Sequence, residues 1–82
     1  MNTTTATVHA TNEEILLGIA TRAAVARAYE VNGMSSEHLL EELDFTALIE
    51  EAELRGLDET HPEAFGNAIS GDLTSTVATI NN

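Results

Sequence analysis

Histidines and carboxylates are the residues of this 82-residue chain that could do chemistry, because the chain contains no cysteine. His38 and Glu42 lie one helical turn apart with Glu41 beside them, a spacing at which imidazole and carboxylate groups can hold a zinc ion. A histidine among glutamates on a solvated helix face has the same spacing, and we favour that interpretation. The sequence therefore predicts neither a metal site nor a cofactor.

Catalytic motifs are the second kind of chemistry to consider. The chain has no His-Glu-x-x-His pattern, no grouping of serine, histidine and aspartate, and no glycine-rich phosphate loop. It does have three pairs of adjacent carboxylates, Glu41–Glu42, Glu50–Glu51 and Asp58–Glu59. Carboxylates that catalyse usually sit in a cleft that shifts their pKa, whereas these pairs fall on predicted outer helix faces. We predict no catalytic residue and a protein that is not an enzyme.

The negative charge is concentrated in one part of the chain. Residues 35–72 carry eleven acidic residues and a single arginine, a net charge of −10 out of a total of −11, and the chain has no lysine. Such a surface repels nucleic acid and anionic lipid and attracts basic proteins. We expect no direct binding to nucleic acid and a basic protein or nucleoprotein complex as the partner.

Membrane and export signals are a separate question. No apolar run approaches the roughly 20 residues that a membrane-spanning helix needs, and no signal-peptide pattern begins the sequence. The sequence therefore predicts no membrane association and a cytoplasmic location in a bacterial or archaeal host.

The first predicted helix follows a capping box, Thr11-x-x-Glu14, in which hydroxyl and carboxylate each accept a bond from a backbone amide. The helix is apolar on most sides and rich in alanine, which is typical of a helix in the centre of a fold or at an interface. Asn32 and Gly33 are suited to the left-handed turn that ends a helix.

A second helix, capped by Ser35 or Ser36, would bury leucines 39, 40 and 43. The next apolar residues lie on a different side but form their own i, i+3, i+4, i+7 stripe, from Phe45 to Ala52. We therefore predict a break near Asp44 and a third helix from Phe45 to Arg55 that ends at Gly56. Glu51 and Arg55 are spaced for an ion pair within that helix.

The fourth predicted helix follows a second capping box, Thr60-x-x-Glu63, and ends at Gly71. The Thr-rich ends, 1–10 and 73–82, contain β-branched residues that favour strands, so we predict a two-stranded ribbon or flexible ends there. The expected fold is mainly α: one domain over residues 1–82, with about four short helices in a core over 11–71.

The acidic helices suggest a function. B-form DNA carries one negative charge per roughly 1.7 Å of its axis, and adjacent acidic helices can imitate that density over a short stretch. In size, charge and helicity the chain resembles small acidic phage-borne inhibitors such as anti-CRISPR proteins, although no motif residue carries the resemblance. We predict a non-enzymatic inhibitor that blocks a basic nucleic-acid-binding surface. The predicted partner-binding residues are Glu37, Glu41, Glu42, Asp44, Glu50, Glu51 and Glu53.

An alternative is a small structural or assembly protein that forms a homodimer. Its interface would be the Ala-rich first helix, and the acidic face would then serve solubility or adaptation to high salt. The predicted self-association residues are Leu16, Ile19, Ala23 and Val31.

Overall fold

The computed structural model describes residues 9–80, and this part of the chain is helical with no strand. Its radius of gyration of 12.3 Å is close to the roughly 12 Å expected of a compact chain of this length. The helices are α1 (Asn12–Val31), α2 (Glu37–Glu42), α3 (Phe45–Leu54), α4 (Leu57–Thr60), α5 (Pro62–Ser70) and α6 (Leu73–Ile80).

Helix α1 begins and ends as the sequence predicts. The Glu14 amide donates to the Thr11 hydroxyl at 3.1 Å, and the Thr11 amide donates to the Glu14 carboxylate at 3.0 Å, which completes the capping box. At the other end Gly33 has a φ of +78°, and its amide and the next one donate back to carbonyls of the last turn. This is the Schellman arrangement that glycine favours at the end of a helix.

The predicted break at Asp44 separates α2 from α3. Asp44 has a left-handed backbone with a φ of +56°, which aspartate tolerates better than most residues. Its carboxylate forms no capping bond, and neither does the Ser36 hydroxyl in front of α2. The Ser36 hydroxyl donates to the Glu30 carboxylate instead, so it joins the start of α2 to α1.

The predicted second capping box is wrong, because Thr60 belongs to a helix of its own. Gly56, with a φ of +72°, ends α3 and is followed directly by α4. The Thr60 hydroxyl donates to the Gly56 carbonyl at 3.0 Å and is therefore turned away from the next helix. Helix α5 begins with Pro62 after His61, without a side-chain cap.

The predicted two-stranded ribbon is also wrong. Residues 73–80 form helix α6; the Asp72 carboxylate accepts a bond from the Ser75 amide at 3.0 Å, as an N-cap does. The Thr76 hydroxyl donates to the Asp72 carbonyl at 2.7 Å, so this buried threonine is satisfied inside a helix. Residues 1–8 of the other predicted strand lie outside the described residues, and His9 is helical.

Helix α1 is central, as its apolar character predicts: it contacts α2, α3, α5 and α6. Alanines on α1, α3 and α5 let these helices approach closely, and larger side chains from α1, α3 and α4 fill the space between them. The core consists of Ile15, Leu16, Ile19, Ala20, Leu48, Ala52, Leu57, Ala64 and Ala68.

Candidate functional site

The predicted partner-binding carboxylates lie on α2, on α3 and at the break between them. Five of them are exposed, whereas Asp44 and Glu51 are half-buried. We call the exposed five together with Asp44 the acidic face. Its residues are Glu37, Glu41, Glu42, Asp44, Glu50 and Glu53.

Glu51 differs from the acidic face because it has an internal partner. Its Oε2 atom accepts a bond from Arg55 Nε at 2.7 Å, and both side chains are less than one-fifth exposed. Arg55 also donates to the Asn12 side chain at 3.1 Å, which links α3 to the start of α1. The predicted ion pair is confirmed, and the charge of Glu51 is offset within the fold.

Arg22 and Arg27, the other two arginines, bind backbone carbonyls. Arg22 Nε donates to the Leu43 carbonyl just after α2 at 2.6 Å. Arg27 Nη1 donates to the carbonyl of Ser70, the last residue of α5. Carbonyls at helix C-termini lack partners within the helix and favour cations. Within residues 9–80 neither Arg22 nor Arg27 forms an ion pair with a carboxylate, so the acidic face keeps its charge.

His38 lies within the acidic face and contacts two of its carboxylates. Nε2 is 3.1 Å from a Glu42 oxygen and Nδ1 is 3.9 Å from a Glu41 oxygen, and all three side chains are well exposed. The described part of the chain contains no group of three histidine, aspartate or glutamate side chains that could hold a metal ion. His38 and its two carboxylate neighbours lie on the solvent-exposed side of α2.

Leu54 is a surface feature that the sequence interpretation missed. It is 83% exposed at the end of α3 and lines a shallow depression with Glu50 and Glu53. The apolar stripe from Phe45 to Ala52 predicts which side of α3 is buried. Leu54 does not belong to that stripe, so the sequence pattern did not identify it as a surface feature. An exposed leucine beside carboxylates adds to a charged face apolar surface that a partner could bury.

Two carboxylates at helix starts, Glu14 and Asp72, have lowered pKa values. The Thr11 amide and then its hydroxyl hold the pKa of Glu14 below its usual value. The Ser75 amide and then its hydroxyl do the same for the pKa of Asp72, against an opposing desolvation and with the smallest contribution from Arg27. These shifts reflect local hydrogen bonds at helix starts.

The predicted self-association residues are mostly inside the fold. Leu16, Ile19 and Ala23 are at most 5% exposed, and Leu16 and Ile19 belong to the core. Val31 alone of the four is well exposed, at 87%. The side of α1 that was predicted to meet a second copy is instead covered by the chain's own helices.

Comparisons of the chain with models of protein families, with curated proteins and with solved structures found no match. None of the helices between residues 9 and 80 is long and apolar enough to cross a membrane. The functional argument therefore rests on this chain's own charge and geometry.

Proposed function

We propose that the protein binds a basic, nucleic-acid-binding protein surface through its acidic face and blocks that surface without catalysis. The observation that carries this proposal is the separation of charges. Five carboxylates of α2 and α3 are exposed, and within residues 9–80 only Glu51 of these helices is paired with an arginine, whereas Arg22 and Arg27 are occupied by carbonyls at helix ends. A basic surface approaching α2 and α3 would meet negative charge that the protein does not offset itself.

The density of charge suits imitation of a nucleic acid strand. Five exposed carboxylates and the half-buried Asp44 fall between Glu37 and Glu53. Short acidic helices can imitate the charge density of DNA over a limited stretch. A basic groove that binds phosphates could therefore bind the acidic face with similar contacts.

The proposal predicts association that depends steeply on salt. Charges attract over about 10 Å at 0.1 M ionic strength and over about 3 Å at 1 M. Long-range attraction mainly increases the association rate, and buried apolar contacts mainly slow dissociation. Leu54 is the large exposed apolar side chain on α3, and it could supply a buried apolar contact with the partner.

Two variants with equal loss of charge test the proposal. The first removes four carboxylates of the acidic face by changing Glu41, Glu42, Glu50 and Glu53 to Gln. The control removes four exposed carboxylates from elsewhere, by changing Glu13, Glu59 and Glu63 to Gln and Asp58 to Asn. Both variants carry the same net charge, so they differ only in where charge has been lost.

Immobilised wild-type protein and both variants would be exposed to bacterial lysate and eluted with a salt gradient. We expect wild type and control to retain a basic protein that DNA competes away, and the acidic-face variant to bind it at least about fivefold more weakly. Equal retention by the two variants would refute a specific acidic face. It would leave the charge with a general role in solubility.

The homodimer gains no support from the fold, because the residues predicted to form its interface are mostly buried within one chain. A dimer of that kind would require the core of α1 to open.

A further inference from the structure

A narrow groove runs along α1 between α2 and α5, beside the acidic face. Its volume is about 170 Å³. That exceeds the roughly 30 Å³ share of one water molecule but falls below the roughly 300 Å³ at which small-molecule sites begin. The groove is therefore the size of a side chain. It is lined by Ala23, Ala26, Arg27, Glu30, Ser36, Leu40, Phe45 and Ile69.

The middle of the groove is apolar. Ala23 and Ala26 form its floor and are buried, and their small side chains leave the space open. Leu40 and Phe45 are half-buried and Ile69 is 42% exposed, so the walls present apolar surface to anything that enters. An aliphatic chain would gain favourable burial there.

Two oppositely charged side chains of α1, Arg27 and Glu30, line the groove about one helical turn apart. Arg27 is tied to the Ser70 carbonyl at the end of α5. Glu30 accepts a bond from the buried Ser36 hydroxyl at 3.1 Å through Oε2. In the described structure its Oε1 atom has no bond, and Glu30 forms no ion pair with Arg27. A cation in the groove would be drawn to Glu30 and repelled by Arg27.

We propose that this groove receives a lysine or arginine side chain of the basic partner. The aliphatic stem lies between Leu40 and Ile69, and the cationic head contacts the carboxylate of Glu30. Lysine and arginine commonly bury their stems on apolar surface and keep the charged head near water or an anion. This proposal rests on the proposed function, because it assigns one contact of the partner to a place next to α2 of the acidic face.

The variant Glu30→Gln tests the assignment with little risk to the fold. The glutamine carbonyl oxygen can still accept the bond from the Ser36 hydroxyl, so only the charge is lost. The control is Glu59→Gln, which removes a charge that is also exposed, from α4. The probe is capped hexalysine, titrated into isotopically labelled protein at low salt, with each backbone amide followed by NMR.

We expect hexalysine to shift the amides of Ala26, Glu30 and Leu40 as well as those of the acidic face. Glu30→Gln should abolish the groove shifts and raise the dissociation constant about threefold, the size typical of one exposed ion pair, while Glu59→Gln should have a smaller effect. Shifts of the acidic face alone would overturn the groove assignment and leave the proposed function in place.

Other outcomes separate the two proposals further. Groove shifts that survive Glu30→Gln unchanged would show that an apolar contact fills the groove, and they would overturn the role of Glu30. Groove shifts that appear on concentrating the protein without hexalysine would identify a second copy as the occupant. The absence of any shift at the acidic face would contradict the proposed function itself.

Discussion

Gly71 is the position where a single methyl group should do most damage. It joins α5 to α6 with a φ of +79°, and it lies directly against the backbone of α1. A β-carbon added there would be 2.9 Å from the Ala24 nitrogen and 3.0 Å from the Ala23 carbonyl carbon. These are backbone atoms of the central helix, so they cannot turn aside as a flexible side chain could. We expect Gly71→Ala to destabilise the fold strongly.

Two terms contribute to the size of the effect. A left-handed backbone costs a residue with a β-carbon about 1–2 kcal/mol. Overpacking against well-ordered atoms typically costs about 1–3 kcal/mol more. The sum, about 2–5 kcal/mol, is a large part of the roughly 4–12 kcal/mol by which a domain of this size is stable.

Two other glycines separate these terms. Gly56 also has a positive φ, +72°, but a β-carbon there would meet no atom within 4 Å. Gly56→Ala should therefore show the backbone term alone, about 1–2 kcal/mol. Gly66 lies inside α5 with open space around it, so Gly66→Ala should stabilise the protein by about 0.5–1 kcal/mol.

Urea unfolding of the wild type and the three variants, followed by circular dichroism, gives each free energy of unfolding. The expected order of stability is Gly66→Ala, wild type, Gly56→Ala and then Gly71→Ala. If Gly71→Ala costs no more than Gly56→Ala, the close packing of the α5–α6 corner on α1 is wrong.

Three further predictions concern charged residues. Arg22→Ala should lower the free energy of unfolding by about 1–3 kcal/mol, because it leaves a carbonyl after α2 without its charged donor; urea unfolding measures this, and no loss would contradict the contact. A double-mutant cycle of Glu51→Gln and Arg55→Gln should give a coupling of about 0.5–3 kcal/mol, and zero coupling would contradict the pair. Because both side chains are less than one-fifth exposed, 1 M salt should screen this coupling only weakly. The lowered pKa of Asp72 predicts a contribution to stability that is present above the usual aspartate pKa and lost as the pH falls through its folded-state value. The advantage of wild type over Asp72→Asn in melting temperature should therefore shrink on acidification, and an advantage that grows would contradict the hydrogen bonds from Ser75.

Local signals in the sequence predicted several helix ends but not all, since the Thr60–Glu63 capping box has the same spacing as the Thr11–Glu14 box and does not form. The Thr11–Glu14 capping box, the stop at Gly33 and the end of α5 at Gly71 all form from groups within a few residues of each other. The break at Asp44 was also predictable, because the apolar stripe changes sides there. In each case the partners are fixed by their separation along the chain.

The C-terminal segment shows where propensity misleads. Its threonines and valine favour a strand in isolation, yet residues 73–80 are helical. The capping position of Asp72 was the signal for a helix, and the residue that the helix buries is Thr76. Packing of α6 on α1 and α5 then outweighs a weak local preference.

The candidate site was predictable in its charge but only partly in its geometry. Helix periodicity indicates that most of the predicted partner-binding carboxylates avoid the core, and Glu51 is the one that the fold pairs with an arginine instead. The sequence also predicts the Glu51–Arg55 pair, since the two residues are one turn apart. The exposure of Leu54 and the groove beside Glu30 depend on how α2, α3 and α5 pack, so periodicity alone does not show them.

The sequence by itself determined the charge imbalance and most helix ends, because both follow from composition and from bonds between near neighbours. Tertiary structure decided which side of α1 is buried, and so removed Leu16, Ile19 and Ala23 from the surface. It also placed Arg22 on the Leu43 carbonyl and Arg27 on the Ser70 carbonyl, contacts that span 21 and 43 residues. Contacts at such separations depend on how all the helices pack together, and no local pattern specifies them.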